Sequence, residues 1–170
     1  MTTESVLKSL FDQLPNIVDG NLNEFKPKFN WGNQNALNLF LKQFDKTTKY
    51  PLIWLIEGED IENNITHEIS RNGCRLFISK LSVHKTNTNP IIWETEFETV
   101  LDPLLENVKT CLLKGGLTSV KDSVFKVKRL ANYSEKDKIE ATIDPWNVII
   151  LDFDLIIRKK GCLKTITFKN

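Results

Sequence analysis

The strongest pattern in the chain is an unbroken apolar run between a tyrosine–proline pair and an acidic patch. The run Leu52–Ile56 follows Tyr50-Pro51 and precedes the segment Glu57-Gly58-Glu59-Asp60. Proline is tolerated at the start of a strand, and β-branched and aromatic residues favour strands. A strand that is apolar on both faces has to be covered on both sides. The pattern therefore predicts a buried strand around which the other elements are layered.

Two helices are predicted before this strand. Thr3 is the expected cap of the first helix and Pro15 its expected end, and Asn33 or Asn35 is the expected cap of the second. Residues 16–32 between them are predicted to be loop or weak strand. The apolar positions at helical spacing are Val6, Leu7, Leu10, Phe11 and Leu14 in the first helix, and Leu37, Phe40, Leu41 and Phe44 in the second.

The longest helical pattern begins at Trp93 and ends before Gly115-Gly116. Asp102-Pro103 lies inside it and has the order of an N-cap followed by the first helical residue. We therefore expect a break or kink at this point, with the stronger helix after Pro103. The apolar positions of the pattern are Phe97, Val100, Leu101, Leu104, Leu105, Val108 and Leu112.

Three more strands are predicted. Residues 74–82 admit polar side chains, which is typical of a strand near a sheet edge. Trp146–Arg158 places apolar residues at its odd positions, so that they form one face. Residues 158–161 can turn the chain, and residues 163–168 are expected to return as a final strand.

The resulting order is two helices, two strands, a helix, an insertion and two strands. Because helices and strands occur in runs, the order predicts an α+β fold. We expect a mostly antiparallel sheet of about four to five strands, packed by two to three helices. Residues 1–170 are predicted to form a single domain, from which the weakly patterned residues 117–145 project as an insertion or arm.

Composition narrows the function classes. The 170 residues are 41% hydrophobic and carry a formal net charge of +1, which argues against a general nucleic-acid coat and against attraction to an acidic membrane. No window reaches the roughly 20 apolar residues of a membrane span, and the N-terminus lacks the features of a signal peptide. Cys74, Cys111 and Cys162 form no CxxC pair, so we expect three reduced thiols and no metal site.

Two aspartates are the main candidates for chemistry. Asp152 and Asp154 are two residues apart on a predicted strand, so both carboxylates point to one face. With Glu57, Glu59 and Asp60 they could bind a divalent cation, as in a metal-dependent nuclease. Such an enzyme also needs an acid-x-Lys pair, whereas Ile78-Ser79-Lys80 lacks the acid. The alternative is that both aspartates face water or pair with basic residues of a neighbouring subunit.

A cysteine–histidine nucleophile pair is the other arrangement considered. His67 and His84 are the only histidines, and Cys74 is the nearest cysteine. All three fit structural or incidental roles better, and the chain contains no nucleophile elbow and no phosphate-binding loop. We therefore expect no catalytic residue and no cofactor.

The C-terminal residues are basic. Arg158, Lys159, Lys160, Lys164 and Lys169 occur with no acidic residue among them. Such a patch can be a solvated turn, can contact phosphate without reading sequence, or can complement the acidic 57–68 stretch of an adjacent copy. The candidate subunit-interface residues are Glu57, Glu59, Asp60, Arg158, Lys159 and Lys160.

Three segments in this order carry a resemblance to a known family. They are Tyr50-Pro-Leu-Ile-Trp-Leu-Ile, Phe97-Glu-Thr-Val-Leu-Asp-Pro-Leu-Leu and Trp146-Asn-Val-Ile-Ile-Leu-Asp-Phe-Asp-Leu. Together with the two leading helices they resemble head–tail joining and tail-terminator (tail-completion) proteins of tailed bacteriophages. The resemblance covers most of the chain outside residues 117–145, and its motifs are structural rather than catalytic.

The resemblance implies a structural virion protein of the neck or tail, synthesised in the host cytoplasm. Copies would form a homo-oligomeric ring, a hexamer or dodecamer, between the portal side and the tail. The ring would contact neighbouring portal, neck or tail proteins and surround genomic DNA without reading its sequence. The alternatives that remain are the metal-dependent nuclease and a small non-viral α+β binding module.

Overall fold

The computed structural model describes residues 2–43, 50–56, 60–63, 68–82, 89–133, 146–158 and 160–168. Helices α1 and α2 span Thr3–Phe11 and Gln34–Gln43. Helix α3 covers residues 89–114 and consists of an α-helical turn Asn89–Ile92, a π-helical segment Trp93–Leu101 and an α-helical segment Asp102–Lys114. The strands are β1 Ile17–Val18, β2 Glu24–Phe25, β3 Lys28–Gly32, β4 Leu52–Ile56, β5 Asp60–Asn63, β6 Glu68–Leu81, β7 Thr118–Val120, β8 Lys126–Tyr133 and β9 Trp146–Arg158.

The predicted α+β class is confirmed, with more strands than expected. The main sheet has seven strands in the order β3-β4-β6-β9-β7, with β5 paired to β6 and β8 paired to β9. All pairs are antiparallel except β3–β4, which is parallel. Strands β1 and β2 form a separate antiparallel hairpin. Strand β6, with 14 residues, and strand β9, with 13 residues, form the centre of the main sheet.

Strand β4 is buried on both faces, as its composition predicts. Leu52, Ile53, Trp54 and Leu55 are each at most 2% exposed. Ile53 and Leu55 belong to a first core, which α1 and α3 share with one face of the sheet. Leu52 and Trp54 belong to a second core on the opposite face, which is closed by α2. The alternation of side chains along one strand thus joins two helical layers.

Helix α1 follows its predicted apolar pattern. Its side chains at the predicted positions are buried in the first core, as is Leu14, but the helix ends at Phe11 before Pro15 and its N-cap is Thr2 rather than Thr3. The Thr2 hydroxyl accepts a hydrogen bond from the Ser5 N–H, and the Ser5 hydroxyl lies 3.1 Å from the Thr2 N–H. This reciprocal arrangement satisfies donors that the first turn leaves unpaired.

Helix α3 passes through Asp102-Pro103 without interruption, so the expected break is a change of hydrogen-bond register. Leu101 and Asp102 both have right-handed helical backbone angles, and the Asp102 N–H donates to the Phe97 carbonyl five residues earlier. Pro103 has no N–H to donate, so the π register can change to the α register at this residue. Asp102 does not cap the helix; its carboxylate accepts hydrogen bonds from Arg129 on β8 instead.

The prediction of a projecting arm is wrong for residues 118–133. Both β7 and β8 pair with β9, along the edge opposite β6. Partly buried Val127 packs on the first core, and Leu130 and Tyr133 pack on the second, which holds β8 in the sheet. Exposed lysines on its other positions are compatible with an edge strand. Residues 134–145 lie outside the described part of the chain.

The prediction of a final strand at residues 163–168 is also wrong. Because β7 pairs with β9 through Thr118 and Ile157, that edge of β9 is already occupied. The C-terminal segment crosses the ends of the helices instead, where the Ile166 N–H donates to Gln13 Oε1 and the Lys164 N–H to the Gly115 carbonyl. Ile166 and Phe168 both pack on the first core, as their shared side predicts.

A partly buried ion pair connects α1 to the centre of the sheet. Arg71 on β6 is 4% exposed, and its Nη1 lies 2.8 Å from Glu4 Oε1. Burial acts to raise the pKa of Glu4, but the hydrogen bonds from Arg71, from the backbone and from Thr2 outweigh it. The pKa of Glu4 is therefore held below its ordinary value, and its ionised form stabilises the fold.

The Glu4 contact predicts a pH dependence of stability. A lowered pKa in the folded state contributes stability above the unfolded pKa of about 4.3, and this contribution is lost as the pH falls through the folded value. Glu4→Gln should therefore flatten the loss of unfolding free energy between about pH 5 and pH 3. The measurement is urea denaturation across this range. Glu98→Gln at an exposed position of α3 is the matched control, and an equal flattening there would contradict the assignment.

Because β4 is buried on both faces, we expect truncation of one of its side chains to lower the free energy of unfolding strongly. Leu55→Ala should lower the free energy of unfolding by about 2–5 kcal/mol, because it leaves a cavity in a fully packed site. Leu39→Ala, at a 56% exposed position of α2, should change it by no more than about 0.5 kcal/mol. Denaturant unfolding of both variants tests this, and similar losses for the two would show that β4 is not the centre of the fold.

Candidate functional site

The second sheet face is covered over only part of its length. On β9, the side chains packed against the second core are Trp146, Val148 and Ile150. The next two positions on that face are Asp152 and Asp154, which are partly exposed. The structure thus confirms that the two aspartates share a face, and it places them beyond the last side chain of β9 that packs on the second core.

Asp152 lies in a row of charges across three strands. Its register partners are Arg75 on β6 and Lys126 on β8. Arg75 Nε lies 2.7 Å from Asp152 Oδ1, and Nη2 lies 3.0 Å from Oδ2, which is a bidentate pair. The hydrogen bond with Asp152 raises the pKa of Arg75 further above its ordinary value, against the opposing effect of burial. The basic partner of Asp152 is therefore in the same chain.

Asp154 has a different structural role. Its Oδ1 accepts a hydrogen bond of 2.8 Å from the Gly73 N–H. Gly73 has a left-handed backbone (φ 69°) in the β-bulge of β6, where the register shifts between Arg71 and Cys74. The bulge leaves this N–H outside the ladder, and Asp154 satisfies it.

A surface pocket of about 350 Å³ lies beside the two aspartates. The turn between β7 and β8 forms one wall, and Asp122 and Ser123 in this turn have left-handed backbones (φ 54° and 55°). The pocket carries both signs of charge. Its lining residues are Gly73, Lys121, Asp122, Val124, Lys126, Asp152, Phe153 and Asp154.

The predicted interface residues are only partly described. Glu57, Glu59 and Lys159 lie outside the described residues, and only the backbone of Asp60, which begins β5, is described. Arg158 ends β9 at an exposed position, and Lys160 is also exposed. Arg158 is the register partner of Glu68, the last residue of the predicted acidic stretch. One end of the acidic stretch and the basic segment are therefore neighbours within one chain.

The arrangements considered for catalysis are not assembled among the described residues. Lys80 of Ile78-Ser79-Lys80 pairs with Glu96, and Cys74 is buried at the bulge. His67 and His84 lie outside the described residues. Within the ranges that the structure describes, no group of three or more His, Cys, Asp or Glu is placed to hold a metal ion.

The pair of Lys80 and Glu96 is a buried feature that the sequence pattern did not reveal. Lys80 Nζ lies 2.8 Å from Glu96 Oε2, and the two side chains are 12% and 4% exposed. Glu96 belongs to the π-helical segment of α3, directly before buried Phe97. The only signal in the sequence is an acidic residue next to the apolar face of a helix, and the partner on β6 depends on tertiary packing.

The described helices include none that is both long and apolar enough to cross a membrane. Comparisons of the chain with protein-family models, with curated protein sequences and with solved structures found no match.

Because Lys80 and Glu96 form a buried pair, we expect replacing one of them to lower the free energy of unfolding more than replacing both. Lys80→Met should lower the free energy of unfolding by about 3–5 kcal/mol, because it leaves the Glu96 carboxylate buried without its partner. Adding Glu96→Met should recover a large part of this loss. Lys109→Met, which breaks a pair with the 67% exposed Glu106 side chain, should cost at most about 1 kcal/mol. Equal losses for Lys80→Met and Lys109→Met in urea denaturation would contradict the buried pair.

Proposed function

We propose that this chain is a structural protein of a tailed bacteriophage, whose copies form a ring at the head–tail junction as a neck or tail-terminator protein. In this role the ring joins the portal side to the tail around the DNA channel. The proposal rests first on the resemblance of three segments to that family. In the folded chain these three segments contribute to the same core.

The observation that carries the proposal is the packing of those three segments into one unit. They correspond to β4, to the π-to-α transition of α3, and to the first ten residues of β9. Ile53 of β4, Leu101 of α3 and Leu151 of β9 all belong to the first core. The resemblance therefore lies in the contiguous centre of the domain and not in unrelated surface segments.

The surface of the sheet also supports an assembly role. Its two edges differ, since β3 and β5 form one edge and β7 with β8 forms the other. A contact between unlike surfaces of identical copies is heterologous, and such contacts close into rings when the rotation allows it. We place part of this contact at the end of the sheet that carries β5, Arg158 and Lys160, where Glu57 and Glu59 adjoin β5 in sequence.

A metal-dependent nuclease is less well supported by the geometry. Asp152 is engaged by Arg75 in a bidentate pair, and Asp154 satisfies the bulge N–H of Gly73. Both carboxylates therefore have structural partners that a metal ion would have to displace. A DNA-cleavage assay with Mg²⁺ or Mn²⁺, using Asp152→Asn as its control, separates the two functions.

The ring proposal predicts a specific appearance in the electron microscope. Negative-stain images of the purified protein at high concentration should show closed rings with a central channel wide enough for duplex DNA. Dilution should release single copies, because each copy is folded around its own two cores. Particles without a channel, such as compact dimers, would count against a neck or tail-terminator ring and in favour of a different binding module.

A further inference from the structure

Four exposed cations from three segments of the chain lie together where α3 ends. The Lys164 N–H donates to the carbonyl of Gly115, which follows Lys114 at the end of α3. The Arg158 N–H donates to the nearby Leu117 carbonyl. These backbone contacts bring the C-terminal segment, the end of β9 and the end of α3 side by side. The four cations, here called the basic cluster, are Lys114, Arg158, Lys160 and Lys164.

The close approach of these segments depends on Gly116. Its backbone is left-handed (φ 80°), and a Cβ at this position would clash with the Cys162 carbonyl oxygen and lie 2.9 Å from Lys164 Cγ. Glycine is the residue that adopts this backbone without such a clash. The basic cluster is therefore positioned by the fold and not by a loose chain end.

The basic cluster carries an excess of positive charge. Within the described ranges, none of its four side chains forms an ion pair. Glu68 is opposite Arg158 in the sheet, so one carboxylate adjoins the cluster. The dipole of α3 favours a cation at Lys114 in its last turn, but it does not account for the three cations that lie outside the helix.

The other half of α3 carries carboxylates without a partner. Residues 89–108 contain five acidic residues and no lysine or arginine. Three of the five form ion pairs within the chain, namely Glu96 with Lys80, Asp102 with Arg129 and Glu106 with Lys109. The remaining two, Glu94 and Glu98, are exposed and form no ion pair with another described residue. These two residues are here called the acidic pair.

The fold of one copy does not explain the acidic pair. A helix N-terminus favours carboxylates within its first turn, but Asn89–Ile92 forms that turn and both glutamates follow it. Two like charges four residues apart on a helix repel each other. The acidic pair therefore has an electrostatic cost in the single chain that a cationic partner would remove.

Both charged surfaces also include aliphatic side chains that are half-exposed. Ile91 lies one helical turn before the acidic pair, and Leu113 and Leu163 directly precede Lys114 and Lys164 of the basic cluster. A contact between the two surfaces can therefore bury apolar area in addition to pairing charges.

The two surfaces cannot meet within one chain. Lys114 follows Glu98 by sixteen residues on the same helix, which corresponds to about 24 Å. The helix is held along this length by buried side chains of the first core, from Val100 to Leu112. The basic cluster can therefore reach an acidic pair only on another copy.

We propose that the basic cluster of one copy binds the acidic pair of the next copy. This contact rests on the proposed ring function, and it names the surface of the next copy that Arg158 and Lys160 meet. A nucleic acid would also match the cations, but it would leave Glu94 and Glu98 without a partner, whereas a second copy satisfies both surfaces. Because the two surfaces are unlike, the contact is heterologous and can close into a ring.

Charge reversal with mutual rescue tests the contact. The two variants are Glu94→Lys/Glu98→Lys, in which both surfaces are basic, and Lys114→Glu/Lys160→Glu/Lys164→Glu, in which both are acidic. Each variant alone should need a roughly tenfold or higher concentration to assemble, because like charges would face each other. An equimolar mixture should assemble like the natural protein, in rings where the two variants alternate. Native mass spectrometry counts the copies of each variant in a ring.

A second mixture controls for net charge. It combines Glu94→Lys/Glu98→Lys with Lys28→Glu/Lys121→Glu/Lys128→Glu, which reverses three exposed lysines elsewhere. Recovery of rings in this mixture would show an effect of net charge and overturn the contact. All substituted positions are exposed, so each variant should unfold at nearly the same urea concentration as the natural protein.

The remaining outcomes distinguish this contact from the ring function. Rings that form equally well from either charge-reversed variant alone would overturn the contact and leave the ring function standing. If the lysine variant lost binding to a short DNA duplex while its rings were unchanged, the partner of the basic cluster would be nucleic acid and the contact would be overturned. A natural protein that stays monomeric at every concentration would overturn both the contact and the ring.

Discussion

The fold depends on the need to cover strand β4 from both sides. Four consecutive side chains of this strand are almost completely inaccessible, and they alternate between two cores. Helices α1 and α3 supply one layer, and the ten-residue α2 supplies the other. Helix α3 extends over the first core, but on the second face the packed side chains of β9 end at Ile150. The second face beyond Ile150 is therefore partly exposed to solvent, and polar residues occupy it.

The open part of the sheet is organised by contacts within the chain. Arg75 neutralises Asp152, and Asp154 closes the bulge at Gly73, so these charges stabilise the exposed sheet itself. Beside these charges lies a surface pocket whose lining includes Lys121, Lys126 and Asp122. The two edges of the main sheet differ, and a contact between unlike surfaces of identical copies is the kind that can close into a ring.

The elements that the sequence predicts well are those with strong periodicity. The buried positions of α1, the odd-numbered face of β9 and the double burial of β4 follow directly from apolar spacing. Strands β7 and β8 were not predicted as parts of the sheet, because β7 is only three residues long, the lysines of β8 face solvent, and both pairings depend on the free edge of β9. Residues 163–168 alternate like a strand, yet β7 already occupies the edge they would need. The pair of Arg75 and Asp152 joins residues 77 positions apart, so that only the sheet register reveals it.

The proposed function requires that unlike surfaces of this chain meet in a closed ring. Native mass spectrometry of the unmodified protein over a range of concentrations tests it most directly, because it counts the copies in each assembly. We expect single copies and one closed assembly of six or twelve copies, with the fraction of protein in the assembly increasing as the concentration rises. Single copies throughout, or a series of assemblies that grows without a preferred number, would contradict it.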